Sequence, residues 1–93
     1  MRYIIRPSYI RSIKNIRDIR RLKTIHQAVA TLKESLEIKI QPPYRLGMKR
    51  LRENFWEIRS GLADRIIFYR EKDTIEFILA GNHNDIKRFL NKF

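Results

Sequence analysis

The sequence predicts an α+β fold in the order β-α-α-β-β-β-α, with a helical hairpin lying on a small, mostly antiparallel sheet. Three observations carry this reading. Between residues 10 and 36, isoleucine, leucine and valine recur at three- and four-residue intervals, the period of helices with one buried face. Between 55 and 80, three runs rich in β-branched and aromatic residues follow closely, two of them separated only by Glu71-Lys72-Asp73. Residues 80–90, AGNHNDIKRFL, then pass from β-forming residues through a Gly-Asn-His-Asn-Asp cluster into an amphipathic segment.

Residues 2–6 form a short β-prone run closed by Pro7, and Ser8 is placed to cap the helix that follows. Ile10, Ile13, Ile16, Ile19, Leu22 and Ile25 recur strictly every third residue. A helix advances about 100° per residue, so that period drifts by about 60° at each step and would wrap most of one straight helix. Two helices, broken near residues 17–21, fit better. Leu22, Ile25, Val29, Leu32 and Leu36 then form the single stripe of the second helix, which ends before Pro42-Pro43. Residues 41–54, rich in Arg and Lys with two Pro and one Gly, read as a linker or loop. In the run 55–60, Trp56 and Ile58 alternate inward while Phe55, Glu57 and Arg59 take the other face. Residues 64–70 and 74–80 are the next two strands, joined as an antiparallel hairpin. Asn84 or Asp85 caps a last helix with Ile86, Phe89, Leu90 and Phe93 on its apolar side.

A chain of 93 residues holds one domain, spanning 1–93, with a modest core. No apolar run reaches the roughly 18 residues of a membrane span. Arginines interrupt what would be the apolar region of a signal peptide, so a cytoplasmic protein without membrane contact is expected. With no cysteine, disulfides, thiolate nucleophiles and cysteine zinc sites are excluded together. Twenty-one Lys and Arg against ten Asp and Glu give a net charge of +11. The excess is clustered. Arg2, Arg6, Arg11, Lys14, Arg17, Arg20, Arg21, Lys23 and Lys33 face only Asp18 in residues 1–33, and Lys39, Arg45, Lys49, Arg50 and Arg52 face no acid in 39–52. Such patches suit a polyanion, whose condensed counterions are released on binding.

Glycine-rich phosphate loops are absent, as is any His, Asp and Glu cluster with metal-ligand spacing, so neither a metal nor another cofactor is expected. Metal-free RNA cleavage asks for less. The RNA supplies its own nucleophile, the 2′-hydroxyl, and the protein must position the strand, move protons and stabilise charge on phosphorus. Arginines do the last by bidentate contact, and a histidine can move protons near neutral pH. The chain has arginines in excess and His83 in the turn cluster.

Trp56-Glu57-Ile58-Arg59, Arg65-Ile66-Ile67-Phe68-Tyr69 and Gly81-Asn82-His83 stand in the order of a Trp/Tyr-x-Ile/Leu-Arg strand, an Arg-opened apolar strand and a Gly-x-His turn. This ordered set resembles the C-terminal half of the RelE/ParE toxin superfamily of toxin-antitoxin systems, and the element order resembles that family over the whole chain. The resemblance implies a RelE-like fold and a toxin that is an endoribonuclease of ribosome-bound mRNA, with a cognate antitoxin, mRNA and the ribosome as partners. It implies catalytic roles for His83 as proton donor to the leaving 5′-oxygen, for Arg59 on the phosphate and for Arg65 on substrate. Arg45, Lys49, Arg50, Arg52 and Lys87 become phosphate contacts. Glu57, which shares Arg59's strand face, is a candidate general base. Asp85 falls in a His-x-Asp variant of the turn, and Phe89 lies near the place where several members stack an aromatic on a base. The same resemblance admits two other functions: a ParE-type inhibitor of DNA gyrase without nuclease activity, or an inactive nucleic-acid-binding member.

Overall fold

The computed structural model describes residues 1–92, so Phe93, expected on the last helix, lies outside them. Strand β1 (Arg2–Ile5) leads into helix α1 (Pro7–Lys14), followed by α2 (Ile19–Glu37) and a 3-10 turn (Tyr44–Leu46). Strands β2 (Lys49–Arg52), β3 (Phe55–Ser60), β4 (Asp64–Glu71) and β5 (Thr74–Asn82) come next, and α3 (His83–Leu90) closes the described chain. The sheet order is β1-β5-β4-β3-β2, antiparallel throughout except where β1 runs parallel to β5. The α+β architecture expected from the sequence, a helical hairpin on a mostly antiparallel sheet, is therefore present, with one strand more.

That extra strand corrects the reading of residues 41–54 as a linker or loop. Lys49–Arg52 pairs with β3 at the sheet edge, Lys49 opposite Glu57 and Arg50 opposite Trp56. Its sequence, KRLR, holds a single apolar residue, so no alternation marks it. An edge strand rich in cations is also how a sheet avoids pairing with a second one.

Three boundaries differ as well. Helix α1 starts with Pro7 in its first turn, where the missing N–H costs nothing, and its cap residue is Arg6 rather than Ser8. Ser8 instead donates its hydroxyl to the Ile78 carbonyl at 2.6 Å, and Ser12 Oγ accepts from the Ala80 amide at 3.0 Å. Through these bonds α1 covers the part of β5 that β1 is too short to pair. The break between helices falls before residue 19, because Asp18 caps α2 by accepting from the Arg20 and Arg21 amides. The cap of α3 is Asn82, not Asn84 or Asp85. Asn82 accepts from the Asp85 amide at 3.0 Å while Asp85 Oδ2 accepts from the Asn82 amide at 2.9 Å, a reciprocal capping box.

The main core lies between the helical hairpin and one face of the sheet. Ile25, Ala28 and Leu32 of α2 and Tyr9 of α1 cluster with Ile58, Ile66, Phe68, Ile75 and Phe77, with Trp56 packed at the margin as the alternation of β3 predicts. Helix α3 covers part of the opposite face. There Ile67 and Ile86 are buried outside that cluster, and the rings of Phe89, Phe55 and Tyr69 meet edge to face at 6.0 and 5.2 Å. The rest of this second face stays open.

Candidate functional site

Register explains what the open face presents. Residues directly opposite one another on paired strands share a face, so Lys49, Glu57 and Ile67 form one row across β2, β3 and β4. Arg59, Arg65 and Gly81 form the next row, across β3, β4 and β5. Glu57 is buried, its side chain 6% exposed, and its Oε2 lies 3.8 Å from Lys49 Nζ beside it and 3.5 Å from Arg65 Nη1, which reaches diagonally back. A carboxylate removed from water needs such cations as compensation. Neither cation is consumed by the contact. Lys49 is 63% exposed and Arg65 25%, leaving N–H donors turned to solvent beside the carboxylate.

Glu57 is thus the hub of the open face, a more central place than its standing among the sequence candidates. The signal was available in the alternation of β3, but its partner on β2 was hidden with that strand. Arg65 pairs with Glu57, while its neighbour Asp64 is taken by Arg21. That second pair is bidentate, Arg21 Nε to Asp64 Oδ2 at 3.0 Å and Nη2 to Oδ1 at 2.7 Å, and the hydrogen-bonded carboxylate raises the Arg21 pKa. It ties the start of α2 to the start of β4.

Arg59 departs from expectation. It shares the open-face row by register, yet its side chain leans over Gly47. A Cβ built on Gly47 would lie 2.9 Å from Arg59 Nε, and the left-handed backbone there (φ +52°) independently favours glycine. The Arg59 side chain makes no hydrogen bond or ion pair among the described residues and lines the clefts beside the 3-10 turn.

His83 is the first residue of α3, exposed, two positions past the Gly81 that pairs with Arg65. The side chain of Asp85 folds over Gly81 so closely that a Cβ there would meet Asp85 Oδ2 at 2.6 Å. Asp85 also pairs with Arg88. The capping box therefore explains Asp85 and sets where His83 begins. Phe89 is half-buried in the ring cluster with Phe55, so it anchors α3. Lys87 is exposed one turn past His83. In the basic stretch, Arg50 donates Nε to the Glu53 carbonyl at 2.6 Å and braces the β2–β3 turn, whereas Arg45 and Arg52 are exposed and make no ion pair. His26 is exposed on α2, away from its buried stripe. Among the described residues no three His, Cys, Asp or Glu side chains converge as a metal site would require, and no helix is long and apolar enough to cross a membrane.

A buried carboxylate flanked by two part-exposed cations can hold a phosphate on the cations and accept a proton from a hydroxyl next to it. Solved structures similar to this chain include members of toxin-antitoxin complexes. The chain superposes on RelE of the RelB-RelE antitoxin-toxin complex from Methanococcus jannaschii with a TM-score of 0.67 at 16% identity, covering 92% of this chain and 96% of the other. YafQ from E. coli strain BL21(DE3) gives 0.67 at 12% identity over 92% and 98%. The YoeB dimer from Staphylococcus aureus gives 0.63 at 15% over 89% and 97%. At these identities the likeness shows a common fold. No protein-family model matches the sequence, and no curated protein does.

Proposed function

We propose that this chain is the toxin of a toxin-antitoxin pair of the RelE type, an endoribonuclease that cuts mRNA on the ribosome and needs no metal. The observation that carries the reading is the Lys49–Glu57–Arg65 cluster on the open face of a fold shared with toxins.

The chemistry follows from the RNA's own hydroxyl. The 2′-oxygen attacks the adjacent phosphorus and passes its proton to the Glu57 carboxylate. Lys49 and Arg65 hold the non-bridging oxygens as negative charge builds on the phosphorane. The bond from phosphorus to the 5′-oxygen then breaks, and that oxygen takes a proton from the His83 imidazolium. A 2′,3′-cyclic phosphate and a 5′-hydroxyl result. Arg45, Arg52 and Lys87 bind flanking phosphates of the message or the ribosome. A cytoplasmic antitoxin with an acidic, amphipathic segment would cover this basic surface.

The test is expression in a host cell, with RNA ends mapped in translating extracts with and without ribosomes. Ribosome-dependent cuts leaving 5′-hydroxyl ends are expected, and His83→Ala should abolish growth inhibition. Growth arrest with intact message and a DNA-damage response would instead indicate gyrase inhibition. Salt-sensitive RNA binding without cuts would indicate a binding module.

A further inference from the structure

A second concave surface lies where β3 runs past the start of β2. It is a groove of about 440 Å³ between α2 and the β3–β4 turn, walled by Gln27 and Thr31 on one side and by Arg45, Arg59, Ser60 and Leu62 on the other. Ser60 is 3% exposed, and its Oγ is the one buried side-chain polar atom among the described residues without a hydrogen-bond partner. Buried hydroxyls are nearly always satisfied, so this one is placed to meet something that enters the groove. The side chains of Arg45 and Arg59 have no hydrogen bond or ion pair among the described residues, and no carboxylate lines the groove. On the far side of Arg59, across Gly47, stands Tyr44, fully exposed at 100%. Its 3-10 turn is held by the Leu46 amide donating to Pro43 O at 3.0 Å, by the Gly47 amide donating to Tyr44 O at 2.9 Å and by buried Leu46. The ring is therefore presented to solvent on a fixed backbone.

An aromatic face, two unpaired guanidinium groups and an unsatisfied inward hydroxyl are the complement of a base, a phosphate and a further polar edge. We propose that this surface is a subsite for single-stranded RNA outside the cleaved bond. One base stacks on Tyr44, the adjoining phosphate lies between Arg59 and Arg45, and a base edge or phosphate oxygen reaches Ser60 Oγ. The proposal rests on the reading of the open face as an RNA-cleaving site, and Arg59, the register partner of Arg65, joins the two surfaces.

The test titrates the full chain with a short 2′-O-methyl oligoribonucleotide, which cannot supply the attacking hydroxyl, so binding is read apart from cleavage. Tyr44→Ala should weaken binding about five-fold or more, as loss of one base stack does, while Tyr44→Phe keeps it. Arg45→Ala should lower the slope of log affinity against log salt by about 0.7. Ser60→Ala should weaken binding with an unchanged or raised melting midpoint, since it removes an unpaired buried hydroxyl. Ile10→Ala, on α1 at the other end of the sheet, is the control. Wild-type affinity in both Tyr44→Ala and Ser60→Ala overturns the subsite, even if the protein cleaves RNA. Losses confined to binding of poly-glutamate overturn it in favour of an acidic protein partner. A protein that binds the oligonucleotide with these dependences but cuts no RNA keeps the subsite and removes the catalytic reading.

Discussion

Replacing Glu57 by Gln separates a proton acceptor from a counter-ion. The substitution keeps the shape of the side chain and one acceptor oxygen but removes the charge and the basicity. Its structural cost follows from the surroundings. Glu57 Oε2 meets Arg65 at 3.5 Å, the long limit of a hydrogen bond, and Lys49 at 3.8 Å, an ion pair beyond that limit, and both cations are partly in water. A charge-assisted bond contributes roughly 1.5–3 kcal/mol when well made, and solvent exposure reduces that, so a loss of about 1–2 kcal/mol is expected. The catalytic cost is larger if Glu57 takes the 2′-proton. A general base contributes about 10²–10⁴ in rate, or roughly 2.7–5.4 kcal/mol in the barrier. Urea unfolding measures the first quantity, and single-turnover cleavage of ribosome-bound mRNA by folded protein measures the second. A folded Glu57→Gln protein that cuts at close to the wild-type rate would refute the role of Glu57 as base and leave it as the counter-ion of Arg65. Glu57→Asp, which keeps the charge but withdraws it by one methylene, should be more stable than the Gln variant and still slow.

Three further outcomes are expected. Arg21→Met leaves Asp64, 4% exposed, without either of its guanidinium bonds. Breaking a fully buried pair costs about 3–5 kcal/mol, and with Arg21 39% exposed a loss of about 2–3 kcal/mol should appear in urea unfolding. Burial pushes the Tyr9 phenol up to about 12, so the folded state favours the neutral form. That stability is fully present below the unfolded value near pH 10 and is lost as pH rises towards 12, by up to about 2–3 kcal/mol. Tyr9→Phe should therefore show a shallower alkaline loss than wild type in melts taken across that window. Gly81→Ala places a Cβ 2.6 Å from Asp85 Oδ2 and 2.8 Å from Asp85 Cβ, which must move with the first turn of α3. A destabilisation of about 1–3 kcal/mol is expected by thermal melt, together with slower RNA cleavage, because the same turn positions His83.

The parts of this molecule that could be read from the sequence are those whose burial imposes a period. The stripe of α2, the alternation of Trp56 and Ile58, and the β4–β5 hairpin were all readable because a core-facing residue leaves an apolar mark every two or every three to four positions. The candidate site lacks that mark. Its face is open, so Lys49–Arg52 carries no alternation, and the strand that delivers Lys49 to Glu57 looked like a basic loop. Same-face placement of Glu57 and Arg59 could be read, but reach could not. Arg65 arrives diagonally from β4, while Arg59 is drawn towards Gly47 by a left-handed turn that no hydrophobic pattern announces. The same limit applied at the end of β5, where a reciprocal Asn82–Asp85 cap carries the strand up to Asn82 and starts the helix at His83 itself. His83 is therefore fixed by a helix terminus and Glu57 by a sheet register, two independent supports for the acid and the base of the proposed mechanism. Loosening the cap should impair protonation of the leaving oxygen while leaving the Glu57 ion pairs intact, so Asn82→Ala and Glu57→Gln should slow cleavage separately and combine without rescuing one another.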